Sequence, residues 1–135
     1  MINQIFTDEE LVAIHVANKW DSDNTQFLTE NDMQMQLGII VSNAGEHISP
    51  HRHKQKDRKI TGTSEFLLLR QGSCYADFFD KRNALVQSIN LNTGDMLLIL
   101  GGAHGFRGDA EFKFIEVKQG PYLGAEDKER LDVSV

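Results

Sequence analysis

Residues 45–72 read GEHISPHRHKQKDRKITGTSEFLLLRQG. Two histidines, His51 and His53, stand one residue apart, and Glu65 opens the apolar run that ends at Gly72. A strand carries alternate side chains to one face, so a His-x-His pair on a strand presents both imidazoles to the same side. Neutral imidazole suits Zn, Fe, Ni, Cu and Mn, and a carboxylate biases a site toward the harder ions. The pattern therefore predicts two adjacent metal ligands on one strand and a carboxylate at the start of the next. On their own the two histidines are also what a solvated surface shows, so the reading depends on the rest of the chain supplying further donors.

Working outward, the pattern is one of short strands between turns. On the C-terminal side, strands are expected over Ser64–Arg70, Ser73–Phe79, Ala84–Leu91 and Met96–Leu100, then from His104, and over Glu111–Lys118. Gly72, Asn92-Thr93-Gly94-Asp95, Gly101-Gly102 and Gly120-Pro121 punctuate them. On the N-terminal side, Met33, Met35, Leu37, Ile39 and Val41 alternate and predict a strand over Met33–Ser42. His47–Lys54 is expected to be extended as well. Thr7 followed by Glu10 is a capping-type pair, which predicts a short helical turn giving way to a strand. The tail from Ala125 is charged and reads as a short helix or a frayed end. Strands recurring about every ten residues, with no long helical pattern, predict an all-β sandwich or barrel.

The whole chain narrows the classes further. Its 135 residues suit one domain spanning 1–135, and no linker divides them. A net charge of −6 argues against nucleic-acid binding by the general surface. The first residues, MINQIFTDEE, show neither a basic segment nor an apolar core, so no secretory signal is expected. The longest apolar runs, Phe66–Leu69 and Met96–Leu100, are too short to span a membrane. A single cysteine, Cys74, cannot form an internal disulfide and fits a reducing cytoplasm.

His104 supplies a further imidazole beside a predicted strand start, after the Gly101-Gly102 turn. Three histidines and one glutamate from three β segments would leave open coordination positions, the mark of a catalytic rather than a structural metal. His15 and His47 have no partner at ligand spacing and read as structural.

These residues resemble the two motifs of the cupin superfamily. Gly45 is followed by five residues and then His51-Arg52-His53, and Glu65 by six residues and then Gly72. Gly94-Asp95, the strand Met96–Leu100, Gly101-Gly102 and His104 look like the second motif, and EFKFIEVKQGPY looks like the last strand of small bacterial cupins. The resemblance covers roughly residues 33–122. Two departures stand out. Eleven residues separate His53 from Glu65, more than the family usually shows, and Asp57 sits at the usual gap as a rival carboxylate. The second motif lacks its proline and its later asparagine. Glu65 is preferred because only Glu65 has a glycine six residues on; from Asp57 that place is Ser64.

The resemblance implies a double-stranded β-helix, a jelly-roll-like antiparallel barrel. It implies one divalent transition metal (Fe, Mn, Ni or Zn) held by His51, His53, Glu65 and His104. It also implies a homodimer, and oxygenase or isomerase chemistry on a small organic acid or sugar derivative. A non-catalytic sensor and a metal-independent sugar-nucleotide isomerase are the rival functions. The basic run Arg52, Lys54, Lys56, Arg58 and Lys59 reads either as a solvated hairpin tip or as a lid attracting an anionic ligand. Arg107 could join it. Tyr75 and Phe106 are candidate pocket-lining residues, and if His104 faces the metal, alternation carries Phe106 inward with it. Alternation likewise sends Leu67 and Leu69 inward with Glu65.

Overall fold

The computed structural model describes residues 1–133. The chain falls into two compact units: one joins Met1–Trp20 to the chain from Thr63 on, and the other is Asp21–Gly62.

The first unit is all-β apart from one short 3-10 turn. It holds eight strands: β1 (Ile2–Thr7), β2 (Glu10–Val16), β5 (Glu65–Gln71), β6 (Ser73–Phe79), β7 (Leu85–Asn92), β8 (Met96–Ile99), β9 (Ala103–Arg107) and β10 (Lys113–Lys118). The two remaining strands, β3 (Gln26–Phe27) and β4 (Gly38–Ile39), belong to the second unit. Five strands form one sheet in the order β1-β2-β8-β5-β10, and three form another in the order β7-β6-β9. Every pairing is antiparallel.

Alternation decides what each sheet buries. On β5, Leu67 and Leu69 are buried while Phe66 and Leu68 are only partly so. On β6 the buried set is Cys74, Ala76 and Phe78, and on β7 it is Ile89 and Leu91. These side chains meet Ile5, Ala13, Leu97 and Ile99 in one apolar cluster drawn from both sheets. Two antiparallel sheets sharing a core in this way are compatible with a β-sandwich, and among the described residues they do not close into a barrel. β8 lies between β2 and β5 and is buried on both faces, which is why MLLI reads as an unbroken apolar run. Cys74 belongs to this core, and burial pushes its thiol up, which keeps it an inert apolar filler.

The turns explain where the helical expectation failed. Thr7 pairs directly with Glu10, and Asp8 and Glu9 between them both take positive φ, 49° and 65°. That is a two-residue hairpin turn, whose twist suits the flanking strands. The capping pair Thr7/Glu10 is therefore a strand-end pair, and no helical turn forms there. Between β5 and β6 the chain reverses at Gly72, with φ 84°. A Cβ at this position would sit 2.5 Å from the Glu111 carbonyl oxygen and 3.1 Å from the Phe112 Cα. Only glycine satisfies both the conformation and the close approach.

The β7–β8 turn is fixed from within by Asp95. Its Oδ2 accepts from His15 Nε2 at 2.8 Å and from the Asn92 amide at 3.1 Å. Its Oδ1 accepts from the Asn18 amide at 2.8 Å. His15, with Nδ1 3.0 Å from Asn3 Nδ2, is thus a satisfied structural histidine. Asp95→Ala would strand three donors at a site where His15 and Asp95 are both buried. Such a loss costs about 2–3 kcal/mol, and Asp95→Asn, which keeps an acceptor oxygen, should cost visibly less in urea denaturation. Equal losses would show that steric fit, not the acceptor, matters here.

The second unit holds a two-stranded pairing of β3 with β4. Gln34 ties two of its loops together, donating to the Thr61 carbonyl at 2.9 Å and accepting from the Thr61 amide at 2.6 Å. Gln36 is used locally, bonding Thr29, Glu30 and Met33. The strand expected over Met33–Ser42 shrinks to Gly38–Ile39, and none of His47–Lys54 enters a ladder. Every residue from 42 to 62 is exposed. A run of polar and basic side chains has no apolar face to bury, so nothing rewards pairing it.

Candidate functional site

Glu65 is the first residue of β5 and shares its face with Leu67 and Leu69, toward the core. His104 is the second residue of β9, directly across from the buried Phe78 of β6. The two sheets thus each contribute one polar group from their inner faces. Glu65 Oε2 and His104 Nε2 lie 3.5 Å apart, with both side chains mostly buried.

The surroundings hold the pair in place. The His104 ring meets Phe106 edge-on at 5.8 Å between centroids, and Phe106 packs on Phe114 at 4.8 Å. Lys118 of β10 stands directly across the ladder from Glu65. The neighbouring His104 imidazole holds the Glu65 carboxyl below its usual range; burial pushes the other way, and Lys118 adds to the lowering. The Lys118 ammonium also lies 3.6 Å from Asp127 Oδ2 and 5.7 Å from the centre of the Tyr122 ring. Lys118 carried no signal in the sequence, because its place opposite Glu65 depends on a strand register that a bulge at Lys113/Phe114 shifts.

A separation of 3.5 Å is long for a hydrogen bond. It is close to the spacing of two donors that share one ion: with bonds of about 2.1 Å at a tetrahedral angle, ligand atoms lie about 3.4 Å apart. An ionised carboxylate and an imidazole nitrogen also suit a borderline divalent cation. The spacing and the donor types fit a metal. His104 Nδ1 is buried with no hydrogen-bond partner among the described residues, whereas the second nitrogen of a ligating imidazole is usually held by an acceptor.

His51 and His53 lie in the second unit, with ring centroids 5.3 Å apart and planes at 69°. They are neighbours by chain proximity rather than by strand geometry. The Ser49 carbonyl can only accept, so His51 Nδ1 donates to it at 2.8 Å. In the neutral ring this leaves Nε2 with its lone pair free, the tautomer a metal ligand needs. Asp57, Arg58 and the remaining basic side chains of this stretch are exposed. Among the described residues, no three His, Cys, Asp or Glu side chains converge to cage an ion.

The other candidates separate by face. Phe106 lies with His104 and packs against the core. Tyr75 and Arg107 pair across β6 and β9 on the opposite face of that sheet, where the guanidinium sits 4.6 Å from the Tyr75 ring centre. Arg107 Nε donates to Asp77 Oδ2 at 2.8 Å and Nη2 to Oδ1 at 3.3 Å, and Ser88 also donates to Asp77. Arg107 is thus committed to a buried carboxylate. A separate cleft of about 620 Å³ is lined by Asn3, His15, Asn18, Lys19 and Asn90, among others, and reaches neither Glu65 nor His104.

No protein-family model, no curated protein and no solved structure matches the chain. No helix among the described residues is long and apolar enough to cross a membrane.

Proposed function

We propose that the chain is a metal-binding, small-molecule protein of the cupin type, with a double-stranded β-helix as its scaffold. Glu65 and His104 would hold one divalent transition metal (Fe, Mn, Ni or Zn). The observation that carries this reading is the meeting of Glu65 Oε2 and His104 Nε2 at 3.5 Å from two different sheets. When bound, such an ion acts as a Lewis acid toward a substrate oxygen. The chain's own residues do the rest. Glu65 brings negative charge to a mostly buried place, and Phe106 and Phe114 keep one side of His104 dry. The substrate class is a small organic acid or sugar derivative, turned over by oxygenase or isomerase chemistry, and the exposed basic run from Arg52 to Lys59 supplies attraction for an anion.

A second reading is favoured by the same contact. A carboxylate beside an imidazole is an acid–base pair, and it would serve a metal-independent isomerase. Elemental analysis of the purified chain separates the two readings. Metal binding predicts close to one equivalent of a divalent transition metal, lost in EDTA and regained on adding the ion. A chain that carries none and takes up none overturns the metal reading.

A further inference from the structure

The cleft of about 620 Å³ is walled by β1, by the end of β2 and the residues after it, and by β7, so both sheets of the first unit contribute to it. Its volume falls in the range of small-molecule sites. Four asparagines border it: Asn3 of β1, Asn18 just after β2, and Asn90 and Asn92 of β7. Asparagine is depleted in strands, yet three of the four stand in strands. Strand propensity does not account for them.

The buried Asp95 sets how two of these carboxamides stand. Its Oδ2 accepts from His15 Nε2 at 2.8 Å. In the neutral ring His15 Nδ1 is then an acceptor, and Asn3 Nδ2 donates to it at 3.0 Å. Asp95 Oδ1 accepts from the Asn18 amide at 2.8 Å, and Asn18 Nδ2 donates to the Thr93 carbonyl at 2.8 Å. Asn3 and Asn18 are thus both held through their side-chain nitrogens, and among the described residues the oxygen of each is left as an unspent acceptor. Lys19 adds an ammonium, which can only donate, and Ala17 and Ile89 add apolar surface. A cationic ligand would be opposed by Lys19, and an anionic one by the two carboxamide oxygens. A hydroxyl both donates and accepts, so it suits the oxygens and the ammonium alike. We infer that this cleft is a binding site for a neutral polyhydroxyl compound, a free sugar or a cyclitol, separate from the Glu65–His104 pair. This inference uses no part of the metal reading.

Amide NMR spectra of the full chain in EDTA, titrated with D-glucose and with myo-inositol, test it. At least one of the two should shift the Asn3, Asn18 and Asn92 amide signals saturably and leave those of Glu65 and His104 in place. Asn18→Ala keeps the backbone bond to Asp95 and removes the carboxamide. It should weaken binding about fivefold, the effect of one neutral hydrogen bond. Lys19→Met, at an exposed position, should weaken binding by a similar factor, whereas Lys113→Met, also exposed but not bordering the cleft, should leave it unchanged. Sodium sulfate should give no saturable shift of the same signals. The proposal is overturned if neither polyol shifts them saturably, or if the shifts centre on Glu65 and His104. Equal losses from the two lysine variants, or sulfate binding as tightly as the polyols, overturn it as well.

Discussion

Phe78→Ala is expected to lower the free energy of unfolding by about 3–5 kcal/mol. Phe78 is fully buried on the central strand of the three-stranded sheet, with its ring in the cluster where both sheets meet. Removing the ring opens a cavity whose walls belong to two sheets, which cannot both move in to fill it without breaking their ladders. Domains of this kind are stable by only about 5–15 kcal/mol in all, so the variant should unfold at much lower urea with an unchanged slope. A second effect follows from register. Phe78 lies directly across from His104, so the cavity removes backing from the candidate ligand, and metal affinity should fall with stability. A loss below about 1 kcal/mol would mean that the sheets do not share a core at this point.

The second large effect concerns the carboxylate. Titration of the metal-free protein with Zn²⁺ or Mn²⁺ should show at least tenfold weaker binding for Glu65→Gln, the scale of loss seen when groups that fix a metal site are altered. The substitution keeps the shape and removes the charge that a divalent ion needs nearby. Asp57→Asn should change little, since Asp57 is exposed on a stretch that joins no ladder. Equal effects at the two positions would remove the reason for preferring Glu65. His104→Ala should weaken binding at least as much as Glu65→Gln, because it deletes the imidazole that meets Glu65 at 3.5 Å.

Most of the β architecture is legible in the sequence from residue 64 onward. There, alternation and glycine turns agree, as in TSEFLLLRQG followed by SCYADFF. The inward placing of Leu67 and Leu69 follows from the side Glu65 faces, and so does that of Phe106 from His104. Two segments misled. Met33, Met35 and Leu37 alternate as a strand would, but polar side chains around them bond to nearby backbone instead, as Gln36 does to Glu30 and Met33. Thr7 and Glu10 have the spacing of a helix cap, yet a two-residue hairpin uses the same spacing, and the apolar alternation on both sides chooses the hairpin. Within the candidate site, Glu65 was nameable from the glycine six residues on, and His104 from the Gly101-Gly102 turn just before it. The face on which Arg107 lies was not, because it depends on which partner each strand finds. Asp77, which captures Arg107, looks from sequence like any acidic residue in a strand.

Gly72 carries a last consequence. It completes the spacing that made Glu65 the preferred carboxylate, yet the backbone of Glu111 and Phe112 and the positive φ already demand glycine there. Its presence is an architectural necessity that any chain with this turn would share, whether or not it bound an ion. A relative that had lost every donor would still keep this glycine. Resemblances built on such positions therefore report the turn, while the chemistry must be sought in the side chains that the scaffold leaves free to vary.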